Sequence, residues 1–215
     1  MPPARSPTKG IPAGEGRLRR LGRRVRAWLA RAATAREGVS AIEFAFIAPV
    51  LLGLFMASVE LPRAFATGKR LQLGAGAMAD LISRNDFASL SDVYAAAQAV
   101  ATPYDVADAG IVLTAGGVYL QRGVYVAKVC SSTARNDQAR AAGSVIGPAP
   151  AGSASDGARF VMAEVKMRYA ALFRLVPMLN DWTFSYTVSW PVREGKAVNG
   201  QREVVLPGGQ ACPAS

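Results

Sequence analysis

Histidine is absent from the 215-residue chain. It is the commonest general base near neutral pH and the commonest zinc ligand, so its absence removes the most frequent acid–base and zinc chemistry. The sequence also lacks a Gly-rich phosphate loop, a nucleophile motif and an acidic metal cluster. Asp105 and Asp108 lie in a turn-like stretch, where aspartate is expected anyway. We therefore expect no enzyme activity, no cofactor and no metal.

Cysteine is scarce, with only Cys130 and Cys212. The two residues are much too far apart for the C-x-x-C spacing of a zinc ribbon or a thioredoxin-like dithiol. They would be free thiols in a cytosolic protein, whereas an oxidising compartment would favour a disulfide between them.

Acidic residues are few beside basic ones, 15 against 25. The imbalance is local: residues 1–38 carry 10 Lys or Arg and 2 acids, a net charge of +8, while residues 39–215 carry 15 and 13. The basic charge therefore belongs to an N-terminal arm and not to a nucleic-acid-binding domain. We expect no nucleic-acid partner.

The arm has two parts. Residues 1–16 are rich in Pro and Gly, which predicts disorder. Residues 17–31 predict a basic amphipathic helix lying on an anionic membrane surface, because apolar side chains recur at helical spacing at Leu18, Leu21, Val25 and Trp28. DNA binding and an Arg-rich mitochondrial targeting peptide remain alternatives for such a cluster.

A long apolar segment follows the arm. Residues 44–59 contain no charge, and a helix over residues 39–61 would be about 35 Å long at roughly 1.5 Å per residue, enough to cross a hydrocarbon core of about 30 Å. Eight arginines lie between Arg17 and Arg36, so the positive-inside rule places the N-terminus in the cytoplasm and exports the rest. Pro49 predicts a kink in this helix.

The helix is expected to continue beyond the span, since residues 63–84 are rich in helix formers. Small residues around Gly74 would let another helix approach closely. This gives four regions: a leader at 1–38, a transmembrane helix at 39–61, a helical extension at 62–102 and a β-rich domain at 103–215.

The start of the span carries a compact motif. Gly38 is followed by Val39, and a carboxylate and an aromatic residue come after them at Glu43 and Phe44. The pattern resembles the type IV prepilin class, in which a membrane-embedded peptidase cuts after the Gly. Residues 36–84 are more closely similar to the TadE/TadG-like family of pseudopilin-type proteins of the tight-adherence (Flp) pilus system, with Pro49 and the Glu60–Arg63 spacing adding to the likeness.

The resemblance implies a single-pass protein of the bacterial inner membrane with a periplasmic C-terminal domain. It also implies processing by a prepilin peptidase between Gly38 and Val39, and partners among pilin-like subunits and other pilus-assembly proteins. Glu43 would then be the fifth residue of the mature chain and pair with a new N-terminal amine. Glu60 and Arg63 are spaced to form a helix-surface pair worth a few tenths of a kcal/mol.

The exported part predicts an α+β fold. A short helix is expected at 91–100, then antiparallel strands at 111–114, 117–120 and 124–130, a long loop at 132–158, and two further strands at 160–169 and 182–190. The last strand alternates aromatic and hydroxyl residues, which favours core packing over a carbohydrate or partner platform. Export favours a Cys130–Cys212 disulfide that ties the C-terminal tail to the sheet.

Two other interpretations remain. In the first, residues 39–66 are a removable signal peptide and the chain is a secreted or membrane-anchored periplasmic binding protein, since Ala64-Phe-Ala66 imitates a small-x-small cleavage site. Arg63 at that site and the length of the apolar run oppose it. The second is a membrane-anchored enzyme, which the lack of histidine and of motifs disfavours.

Overall fold

The computed structural model describes residues 37–173 and 181–214. The expectations for residues 1–16 and 17–31 lie outside this part. Two helices come first, α1 (Glu37–Ser83) and α2 (Leu90–Ala101). Seven strands follow: β1 (Gly110–Gln121), β2 (Val124–Arg135), β3 (Val145–Pro148), β4 (Arg159–Arg168), β5 (Thr183–Pro191), β6 (Lys196–Val198) and β7 (Gln201–Glu203). The predicted α+β class is confirmed.

The chain divides into two compact units, Met1–Ala57 and Ser58–Ser215. Within the described residues one helix, α1, is long and apolar enough to cross a membrane. The helix continues through Pro49 and Pro62. The kink expected at Pro49 stays a prediction. In the first unit α1 exposes its large apolar side chains, whereas in the second unit it contributes to a core.

The main sheet is antiparallel and has the order β3-β2-β1-β4-β5. A tight turn at Arg122 and Gly123 joins β1 to β2, and both residues have positive φ angles of 52° and 82°, as a two-residue hairpin turn requires. β4 then pairs with the other side of β1, so the sheet is not a simple meander. The short β6–β7 hairpin forms a second sheet.

The predicted break between residues 114 and 117 was wrong, because β1 is one strand with a register shift at Ala115 and Gly116. A Cβ on Gly116 would lie 2.5 Å from the Phe160 ring and 2.6 Å from the Lys128 carbonyl oxygen. Gly116 and Gly117 thus lie inside a continuous strand, where neighbouring atoms leave no room for a side chain, and not in a turn.

Gly116→Ala is expected to lower the free energy of unfolding by about 1–3 kcal/mol, because β2 backbone and a fully buried ring must move. Chemical denaturation of the purified chain measures this. Gly76→Ala is the matched control: nothing lies within 4 Å of that position, so a helical alanine should be neutral or slightly stabilising. Equal stabilities of the two variants would contradict the crowding argument.

The core lies between the sheet and the two helices. Helix α1 contributes Leu71, Ala75, Met78 and Ile82 to this core, and α2 contributes Val93 and Ala97. The close helix approach expected near Gly74 is seen, since a Cβ there would lie 3.4 Å from the Ala97 carbonyl oxygen. The two helices therefore pack at backbone distance over one face of the sheet.

The predicted loop at 132–158 was partly wrong. β2 continues to Arg135, and Val145–Pro148 forms the edge strand β3 beside it. Residues 149–158 do form a connection without strands. The Gly- and Pro-containing composition that predicted a loop is also typical of a short edge strand, since an edge needs fewer backbone donors.

The aromatic row of β5 is divided between core and surface. Phe184 is buried, and Tyr186 and Val188 pack partly against the core. Trp182 and Trp190, at the two ends, remain 42% and 38% exposed. The predicted core packing therefore holds for the centre of the row but not for its ends.

Candidate functional site

The motif at the start of the apolar segment lies in the first turns of α1, which begins at Glu37. Gly38 and Val39 are thus helical, and Glu43 follows Val39 by four residues in the same helix. Glu43 and Phe44 are exposed.

The apolar segment exposes large side chains in every direction around the helix. Nine of them are between 54% and 77% exposed: Ile42, Phe44, Phe46, Ile47, Val50, Leu51, Leu52, Leu54 and Phe55. A helix that is apolar all round has to be covered by lipid or by other apolar surfaces. Glu43 is the one charged residue between Gly38 and Val59, and it lies on this surface.

Glu60 has the opposite environment, because it is only 2% exposed. Its Oε1 accepts a 2.6 Å hydrogen bond from the Tyr169 hydroxyl, and its two oxygens accept bonds of 3.1–3.2 Å from the backbone N–H groups of Leu172 and Phe173. We call these four residues the Glu60 clasp. The carboxylate fixes α1 to the chain that follows β4.

Arg63 interacts with Glu60 less directly than the predicted helix-surface pair implied. It is exposed, and its guanidinium lies 6.0 Å from the centre of the Tyr104 ring. The hydrogen bonds to Glu60 come from Tyr169 and two backbone amides, and Arg63 acts on the carboxylate through space. Sequence reasoning missed these partners because they lie 109–113 residues away along the chain.

Tyr169 is held as a neutral donor. Burial is the main cause that raises the pKa of its hydroxyl to about 12, and the hydrogen bond to Glu60 adds to the effect. The Tyr169 ring also packs edge-on against Phe184, with centroids 5.9 Å apart. The clasp is therefore connected to the aromatic row of β5.

A second buried polar cluster surrounds the two cysteines. Cys130 and Cys212 form a disulfide with an S–S distance of 2.02 Å, and both are almost fully buried. Beside them, Arg159 Nε lies 3.2 Å from Glu203 Oε2, with both side chains buried. Glu203 also accepts a bond from the Cys212 N–H, while Arg159 donates to the Pro213 carbonyl. The disulfide and this ion pair together fix the C-terminal tail, and no local sequence pattern predicted the ion pair.

A groove of about 380 Å³ lies between α1 and β5. Leu61, Phe65 and Gly68 line it from the helix. Phe184 and Tyr186 line it from β5, and Trp182 lines it from the position just before that strand. Its walls are mainly apolar, with hydroxyl groups from Thr183 and Ser185 between the rings.

Clusters of three or more residues able to hold a metal ion do not occur in residues 37–173 and 181–214. The features described above are the Glu60 clasp, the buried polar cluster around the disulfide, and the apolar groove between α1 and β5. Gly38, Val39, Glu43 and Phe44 share the start of α1, while Glu60 and Arg63 belong to the second unit.

The comparison with protein families gives one match. Residues 38–79 match the family described as TadE-like protein, which confirms the likeness inferred from the motifs. The match begins at Gly38 and covers most of α1, but none of the sheet. No curated protein and no solved structure matches the chain significantly.

Proposed function

Starting from this TadE-like helix, we propose that the chain is a pseudopilin-like minor subunit or assembly factor of a bacterial tight-adherence pilus. The observation that carries the proposal is that the family match, which begins at Gly38, covers a helix that exposes large apolar side chains all round. α1 anchors the chain in the inner membrane, with the basic arm in the cytoplasm and the sheet domain in the periplasm. Its partners are pilin-like subunits and other assembly proteins, and its role is structural and not catalytic.

We further propose that a prepilin peptidase cuts between Gly38 and Val39. Gly38 has no side chain, so the residue before the scissile bond imposes little steric restriction on its backbone. The cut removes the arm with its net charge of +8 and creates an ammonium group on Val39. Opposite charges attract much more strongly where water is scarce, so Glu43 is placed to bind such an ammonium on a neighbouring subunit.

The processing step predicts that a C-terminally tagged chain loses the mass of residues 1–38 when the peptidase is present, and that N-terminal sequencing then begins at Val39. Gly38→Leu should abolish the shift, because a bulky side chain enters the cleavage site. Gly53→Ala is the matched control in the same helix, where nothing lies within 4 Å, and it should be cut normally. Glu43→Ala should still be cut but should fail to assemble.

Other N-termini would contradict this mechanism. A mature chain that begins at Met1 or Pro2 would show an uncleaved anchor. A mature chain that begins at Thr67 would instead support the interpretation of residues 39–66 as a removable signal peptide. The structure opposes the latter, because Glu60 and Ala64 are only 2% and 3% exposed, and a cut before Thr67 would remove both from the core of the second unit.

A further inference from the structure

The groove between α1 and β5 has an exposed apolar rim. Phe65 is 71% exposed, Leu61 is 44% exposed and Trp182 is 42% exposed. Leu61 and Phe65 are four residues apart and so lie one above the other on the same side of the helix. The rim therefore forms one apolar surface shared by helix and strand.

The inner part of the groove is closely packed. A Cβ on Gly68 would lie 2.6 Å from the Tyr186 hydroxyl and 3.0 Å from the Phe184 ring, so these two side chains pack directly against helix backbone. The rings of Phe184 and Tyr186 are 6.2 Å apart, and that of Trp182 is 5.6 Å from Phe184. β5 is also an edge strand of the sheet. Trp182 is thus held by its neighbours while its outer face stays open.

The rim is continuous along the chain with the apolar surface of α1. Phe65 lies six positions after Val59, which is about 9 Å of helix at roughly 1.5 Å per residue. The headgroup layer on each side of a bilayer is about 5–8 Å thick, and transmembrane helices tilt by about 20° on average. The side chains of Leu61 and Phe65 therefore fall at headgroup depth if the span ends near Val59.

The charges near the rim do not oppose contact with a membrane. Glu60 is internally bonded by the clasp. Asp181, next to Trp182, forms an ion pair with Arg168. Arg63 and Arg70 lie on the other side of the helix from Leu61, beside Tyr104 and the Val100 carbonyl. Both acidic residues near the rim are therefore paired, and the rim itself is apolar.

We propose that the rim of this groove rests on the bilayer, with Trp182 and Phe65 in the headgroup layer. Tryptophan suits this depth, because its ring is apolar while its indole N–H needs a polar partner. The contact would hold the Trp182 end of β5 at the membrane surface. The inference rests on the membrane anchoring in the proposed function, but not on pilus assembly or on cleavage at Gly38.

The test uses the full chain in lipid nanodiscs that contain anionic lipid, where both membrane faces are accessible. Trp28→Phe combined with Trp190→Phe leaves Trp182 as the single fluorophore. Lipids carrying a quencher near the headgroup should remove most of its emission, whereas acrylamide in the water should have little effect. The matched control keeps Trp190 instead, which lies at the other end of the same strand with 38% exposure. Trp190 should respond to acrylamide and not to the lipid quencher.

A variant pair tests the rim itself. Phe65→Ser should reduce the lipid quenching of Trp182, while Leu73→Ser, at another exposed position of α1 with 46% exposure, should leave it unchanged. Trp182 that is quenched by acrylamide alone would overturn the proposal. So would Trp182 protected from both quenchers, which would show that a protein covers the groove. Co-sedimentation with lipid is measured in parallel, so that loss of anchoring is distinguished from failure of this contact.

Discussion

Glu60→Ala is expected to lower the free energy of unfolding of the sheet domain by about 3 kcal/mol, the upper end of the range for hydrogen bonds to a charged group, because three donors lose their acceptor. The substitution leaves the Tyr169 hydroxyl and the backbone N–H groups of Leu172 and Phe173 without their acceptor. The Tyr169 hydroxyl is affected most, because Tyr169 is only 3% exposed and cannot easily bond to water instead. Urea unfolding of the purified full chain in detergent, followed by circular dichroism, measures the loss.

Two variants separate the clasp from a general effect on α1. Tyr169→Phe removes one donor and keeps the ring against Phe184, so it should cost about 1–2 kcal/mol. Combined with Glu60→Ala it should cost less than the sum of the two single losses, because the residues share a hydrogen bond. Glu43→Ala, an exposed glutamate of the same helix, should change stability by no more than about 0.5 kcal/mol. If Glu60→Ala behaved like Glu43→Ala, the clasp would not stabilise the domain.

The second large effect concerns the disulfide. Cys130→Ala with Cys212→Ala is expected to lower the free energy of unfolding by about 4 kcal/mol. In the chain-entropy model this stabilisation grows with the length of chain that the bond closes, and these cysteines are 82 residues apart. The two side chains are also buried, so the alanine variant leaves small cavities beside β2. Equilibrium unfolding with and without reductant measures the difference.

The reductant provides the internal control. It should destabilise the wild-type chain about as much as the double substitution does and leave the double variant unchanged. The ion pair between Arg159 and Glu203 is present in both, so any remaining order of the tail can be attributed to it. Alkylation of both thiols in the exported protein without reductant would show that the disulfide does not form there.

The elements with regular patterns were predictable from sequence. β4 and β5 were found because their side chains alternate, and α1 because its apolar run exceeds what a core helix needs. β1 was divided wrongly, since glycine usually signals a turn, whereas Gly116 and Gly117 make room for Phe160 and for Arg159 and Tyr119. Composition thus predicts where glycine is needed, but not which neighbour requires it.

The partners in the two buried polar clusters could not be predicted from the sequence. Glu60 was assigned a partner three residues away because local spacing is all that a single sequence reveals, yet its hydrogen bonds come from the end of β4 and beyond. Arg159 and Glu203 are 44 residues apart and carry no motif. Long-range polar contacts depend on the register of a sheet, and register is a property of the whole fold.

The disulfide also makes a ring of the chain. Residues 130–212 are closed covalently, and the ring contains β3, β4, β5, β6 and β7. A protease that cuts one peptide bond anywhere inside this ring opens it without releasing a fragment. The new ends remain joined through the sulfur atoms and through strands that pair with β1 and β2. The domain can thus be nicked once and still persist as one molecule.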